Sequence, residues 1–128
     1  MREVLSSSLS REEIFSRTFE VSVDRPIGTR HPKHGTEIVY PINYGEIVGL
    51  VGGDGEYQDV YILGVSAPLR TFRGRIVAII HRLDDVEDKW VTCPEGQSYT
   101  AEEIRAAVDF QEKYYHSELT LRPEGDRQ

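Results

Sequence analysis

The stretch at residues 53–65, G-D-G-E-Y-Q-D-V-Y-I-L-G-V, constrains the fold more than any other part of the chain. It sets Asp54, Glu56 and Asp59 around Gly55 and then runs into an apolar segment, residues 60–65, that reads as a buried strand. Asp54 and Asp59 have opposite parity, so along a continuous strand they would face opposite sides of a sheet. They converge only across a turn, and Gly52, Gly53 and Gly55 supply the backbone freedom for one. Carboxylates gathered at a strand mouth repel unless a hard divalent cation neutralises them. On spacing alone two readings stand side by side, a metal-holding turn and a solvated acidic one.

The remaining segments supply partners for that strand. At residues 18–24, Phe19, Val21 and Val23 alternate with Glu20, Ser22 and Asp24, the pattern of a half-buried strand, and Pro26 ends it. Residues 38–40 and 47–51 read as two strand pieces joined by P-I-N-Y-G, with Pro41 and Gly45 turning the chain. Residues 75–82 carry the run I-V-A-I-I of another buried strand, followed by a second acidic cluster, D-D-V-E-D-K-W, and a last strand at 90–93. Read alone, that second cluster is a polar hairpin turn. Its tip can approach the first acidic turn only if the sheet curls into a small barrel. Ser10 with Glu13 is a capping-box pattern that predicts a short helix at 11–17 with Ile14 turned inward. Thr100 with Glu103 predicts a second, from 101 to about 117, packing through Ile104, Ala107, Val108 and Tyr115.

Composition narrows the class. In 128 residues, enough for one domain, 22 acidic side chains face 15 basic ones, and the net charge of -7 argues against nonspecific nucleic-acid binding. Cys93 is alone, which excludes an internal disulfide and points to a reducing, cytoplasmic setting. No apolar run approaches the roughly 20 residues of a membrane span, so no membrane partner is expected. Within this acidic chain the loop R-P-I-G-T-R-H-P-K-H-G gathers Arg25, Arg30, His31, Lys33 and His34. It is either an anion-binding loop or a solvated one balancing nearby acids. His31 and His34 do not make a helical metal pair, because Pro32 between them forbids the helix. Tyr40 and Tyr44 flank the P-I-N-Y-G corner, where aromatic packing and a ligand-facing hydroxyl are both open.

Taken in order, Y-P-I-N-Y-G, D-G-E-Y-Q-D-V, P-L-R-T-F-R-G-R-I-V-A-I-I and D-D-V-E-D-K-W-V-T-C-P resemble the soluble family I inorganic pyrophosphatases. That family carries Y-P-x-N-Y-G, D-G-D-P-x-D-V and a later D-x-x-x-E-D-x-K. The resemblance spans about residues 20–115 and implies a mainly β fold, a five-stranded OB-like barrel with a C-terminal α-helix and a short N-terminal helix. Residues 1–128 then form a single domain, with an N-terminal segment at 1–17 and a flexible tail at 122–128.

The resemblance also implies Mg²⁺-dependent hydrolysis of inorganic diphosphate, with Mn²⁺ or another divalent ion as a substitute, in a homo-oligomer. Position by position, it assigns metal binding to Asp54, Asp59, Asp84 and Asp88, and catalysis to Glu56, Lys89 and Tyr44. Lys89, Tyr44 and Tyr114 become phosphate-binding residues, and Asp24 a supporting acid. Glu56 is one methylene longer than the family's aspartate, and Tyr57 replaces its proline. Of the family's phosphate-binding cations only Lys89 has a clear match, so Arg30, His31 and Lys33 are expected to replace the others. The lost cations keep two alternatives open: a noncatalytic relative that binds a phosphorylated ligand or metal, and a hydrolase of another phosphoanhydride.

Overall fold

The structure, a computed structural model, describes residues 4–33 and 35–123. His34 and the tail from residue 124 onward lie outside the described residues, so the readings made for them stop there.

The described chain runs β1 (Val4–Leu5), α1 (Arg11–Ser16), β2 (Thr18–Arg25), β3 (Arg30–Lys33), β4 (Thr36–Val39), β5 (Asn43–Val51), β6 (Tyr57–Ile62), β7 (Thr71–Arg82), β8 (Asp88–Thr92), α2 (Ala101–Glu112) and β9 (Ser117–Leu121). Five strands pair in a ring. β2 lies antiparallel to β5 and β5 to β6; β6 runs parallel to β8; β8 returns antiparallel to β7, and β7 antiparallel to β2. This is the mainly β, OB-like barrel expected from the motifs.

The apolar run of β7 has two coverings to account for it. Ile76 and Ile79 point inward with Val21, Ile47, Val60, Ile62 and Trp90, a cluster drawn from all five ring strands and plugged by Ile14 and Phe15 of α1. Ala78 and Ile80 point outward with Tyr44, Tyr61 and Val91, under Ile104 and Val108 of α2. Both helices begin with the capping boxes read from the sequence, Ser10 with Glu13 and Thr100 with Glu103. A helix of this length is marginal alone. Each large aliphatic side chain buried beneath it contributes about 1.5–3 kcal/mol.

Several boundaries differ from expectation: β6, β7 and β8 each begin two to four residues earlier than read, at Tyr57, Thr71 and Asp88, and four other departures carry a physical reason. The cationic loop is a two-stranded ribbon, with Pro32 opposite Glu37, because a proline is tolerated where no central ladder bond is needed. β5 is continuous from Asn43, and Gly45 sits inside it, not at a corner: a Cβ there would collide with the Ser22 carbonyl of β2. α2 stops at Glu112, and S-E-L-T-L, whose alternation is strand-like, adds β9 to the half of β7 that β2 leaves uncovered. Arg122, grouped with the tail from its sequence, donates its N–H to Val77 O at 2.9 Å.

Candidate active site

The two acidic turns meet. Gly53 packs so closely on the Val86 carbonyl that a Cβ would not fit, and Gln58 Nε2 donates to Asp88 O at 2.8 Å. Within the first turn Asp54 Oδ1 accepts the Glu56 N–H at 3.0 Å, and the left-handed Gly55, φ 85°, lets the chain reverse. Asp54, Asp59 and Glu87 each offer a carboxylate oxygen within 4.8 Å of the others.

Strand parity decides which acids of the second turn arrive. Asp59 has the parity of Tyr61, and Lys89 that of Val91, so both face the outer, α2 side of the barrel. Glu87, two residues before Lys89, shares its face. Asp88 faces the other way and binds His81 Nδ1 at 2.7 Å, across from it on β7. Asp84 accepts the His116 N–H at 3.2 Å. The structure therefore brings Glu87, in place of Asp84 and Asp88, to Asp54 and Asp59. The sequence holds the signal in the i, i+2 relation of Glu87 to Lys89.

Crowding shows in the proton affinities. Burial raises the Glu87 carboxyl to about 7, and its hydrogen bond to Asp54 adds to the rise. The same bond lowers Asp54. A proton shared between them relieves the repulsion that a cation would otherwise relieve. Lys89 completes the group: its buried ammonium donates to Asp59 Oδ2 at 2.6 Å and to the Tyr44 hydroxyl at 2.7 Å, and lies 2.9 Å from Glu87 Oε1. Burial, followed by the Asp59 charge, pushes the Tyr44 phenol well above its usual range, so it stays a neutral hydrogen-bonding group. Glu56 stands exposed at the rim. Asp24, at the irregularity between Val23 and Arg25, is raised by burial and feels Arg25, Asp59 and Lys89.

The cationic ribbon divides. Lys33 turns inward, donates to Gln111 Oε1 at 2.9 Å, and is lowered to about 8 by burial and then by Arg25, Lys89 and Arg82. His31 Nε2 lies 3.3 Å from Arg25 Nη2. Arg30 turns outward to Glu37, in an exposed pair at 3.0 Å. Tyr114 packs against the helix-side core with Lys113 over its ring, 5.5 Å from the centroid. Its neighbour Tyr115 carries the Arg82 guanidinium 3.6 Å over its ring.

Sequence reasoning missed the buried polar chain behind these groups. Arg25 donates to the Tyr40 hydroxyl at 2.6 Å; Tyr40 and Lys33 share Gln111 Oε1; Gln111 Nε2 donates to Tyr61, and Tyr61 to Glu112 Oε2 at 2.6 Å. Arg82 then takes both oxygens of Glu112, at 3.1 and 2.7 Å, and reaches Glu87 Oε1 at 2.8 Å. Gln111 and Glu112 fall on the buried face of α2, and polar residues at core positions were the available signal.

No protein-family model matches the sequence, and a search of curated proteins returns no match. Solved structures do match the fold. An inorganic pyrophosphatase from Ehrlichia chaffeensis superposes with a TM-score of 0.61 and 17% identity, over 81% of this chain and 85% of that one. One from Coxiella burnetii gives 0.59 and 17%, over 88% and 89%. One from Thermus thermophilus gives 0.56 and 15%, over 86% and 85%. The chain has the pyrophosphatase fold.

Proposed function

We propose that this chain, as one domain, hydrolyses inorganic diphosphate to two phosphates with a divalent cation, Mg²⁺ or Mn²⁺, held by Asp54, Asp59 and Glu87. The observation that carries this is the convergence of those three carboxylates from two turns beside Lys89 and Tyr44. The donor set fits the ion. It consists only of hard carboxylate oxygens, and the shared proton marks where positive charge is needed. Once bound, such an ion polarises phosphoryl oxygens and lowers the pKa of water.

The chain's own residues do the rest. Glu56 at the rim accepts a proton from the attacking water. The new bond joins that water's oxygen to one phosphorus, and the bridging P–O bond breaks with its electron pair leaving on the departing phosphate. Lys89, Lys33 and Arg25 hold the phosphates by charge, and the Tyr44 hydroxyl orients an oxygen. Asp24 tunes the charge beside them, and Arg30, His31 and Tyr114 remain candidates for phosphate contact at the margin. The same reading includes a cytoplasmic homo-oligomer. No described helix is long and apolar enough to cross a membrane.

The hold of both Arg82 and Lys89 on Glu87 Oε1 favours a second reading, a noncatalytic relative that binds a phosphorylated ligand or a metal. Phosphate release from diphosphate, ATP and short polyphosphate, with and without Mg²⁺, separates them. Magnesium-dependent release from diphosphate alone supports the proposal; release from ATP or polyphosphate moves the substrate to another phosphoanhydride. No release from any substrate supports the noncatalytic reading.

A further inference from the structure

Resting on that reading of the site, we infer that it binds one divalent ion per chain in the absence of substrate, because Lys89 and Arg82 already stand where further positive charge would be held. Glu87 Oε1 accepts from Arg82 Nη1 at 2.8 Å and lies 2.9 Å from Lys89 Nζ, while Asp59 Oδ2 is 2.6 Å from the same ammonium. Both cations are 3% exposed, so water does not screen them. Arg82 is also fixed in place: Glu112 grips it at 3.1 and 2.7 Å, Asp85 lies 3.3 Å from it, and Tyr115 stacks on it at 3.6 Å.

A second ion would need carboxylates that are not already committed, and the arrangement withholds them. Asp84 is bound to the His116 backbone and Asp88 to His81. Asp24 and Glu46, the latter opposite Asp59 on β5, feel the Asp59 charge, and Glu46 also feels Glu56, but among the described residues only Asp54, Asp59 and Glu87 bring three ligand oxygens within 4.8 Å. An ion placed beyond that set would also face two buried cations, whose repulsion water screens little. Lys89 and Arg82 thus act as permanent cations, leaving Asp54, the third corner, as the open side of a single site.

Titrating the whole chain with Mn²⁺, with no phosphate present, and following the spin-resonance signal of the free ion counts the sites directly. Saturation at one ion per chain is the expected result. Two or more sites in the same millimolar range overturn the inference and leave the proposed site standing, whereas no saturable site removes the proposed site and the inference with it. Lys89→Met, checked for folding by circular dichroism, frees oxygens on Asp59 and Glu87 and is expected to tighten Mn²⁺ binding on the order of tenfold. Unchanged or weaker binding by a folded variant overturns the claim that this ammonium occupies cation space.

Discussion

The Lys89 ammonium stands 2.6 Å from Asp59 Oδ2 with 4% of its side chain exposed, against 22% for Asp59. Removing one member of a buried pair leaves the other charge uncompensated. Lys89→Met is therefore expected to lower stability by about 3 kcal/mol, the low end for buried pairs since Asp59 keeps some water. Saturating Mg²⁺ restores part of that loss, and urea unfolding with and without the ion measures both. Diphosphate turnover falls by roughly 10²–10³, because a preorganised charge beside the reacting group is lost.

Arg82 and Glu112 offer a different balance, since their pair joins β7 to α2 inside the helix-side core. Arg82→Met alone leaves Glu112 without its cation, and Glu87 with Lys89 alone, and is expected to cost about 3–5 kcal/mol. Arg82→Met with Glu112→Leu removes both charges, and its loss is smaller than that of either single variant. A double-mutant cycle in urea gives the coupling. Additive losses would show that the pair is not a unit.

How far these residues were legible in the chain depends on the range of the signal. Period-two alternation in β2 and the two capping boxes are local, and they located β2, α1 and the start of α2 within a residue or so, while the end of α2 fell about five residues short of its expected place. The ring of strands followed from motif order, because two acidic turns meet only in a curled sheet. Glu87 was concealed because D-D-V-E-D offers four acids, of which the parity of Lys89 admits Asp85 and Glu87, and only the fold shows that Asp85 turns to Arg82 while Glu87 joins Asp54 and Asp59. The Gln111–Tyr61–Glu112–Arg82 chain has no local signature. Its members lie on three different elements, β6, β7 and α2, and only tertiary packing assembles them.

Lys33 gives the site a pH response. Its folded value of about 8 lies below the ordinary 10.5, so the folded chain sheds this proton first as pH rises. Below pH 8 the buried charge is a full cost to stability; that cost disappears as pH rises through 8 toward 10.5, where the unfolded chain also releases its proton. Anion binding runs the opposite way, because the charge that grips phosphate is present below pH 8 and lost above it. Calorimetric titration with diphosphate should therefore show affinity falling through pH 8, with proton uptake on binding. Lys33→Arg should keep the affinity and flatten the fall; a fall that persists in the variant assigns it to another group.

Gly53 tests whether the meeting of the two turns is what builds the site. The space for its Cβ is taken by the Val86 carbonyl, a backbone atom that cannot rotate away, so Gly53→Ala must push the turns apart. Overpacking of this kind costs about 1–3 kcal/mol. Gly55, by contrast, has open space around it but a φ of 85°, so Gly55→Ala strains the backbone by about 1–2 kcal/mol without wedging the turns. The two variants are matched in stability loss and differ in geometry. Mn²⁺ affinity is expected to drop on the order of tenfold or more in Gly53→Ala, which separates Glu87 from Asp54 and Asp59, and by much less in Gly55→Ala. Equal losses would mean that stability alone, and not the distance between the turns, governs the ion's hold.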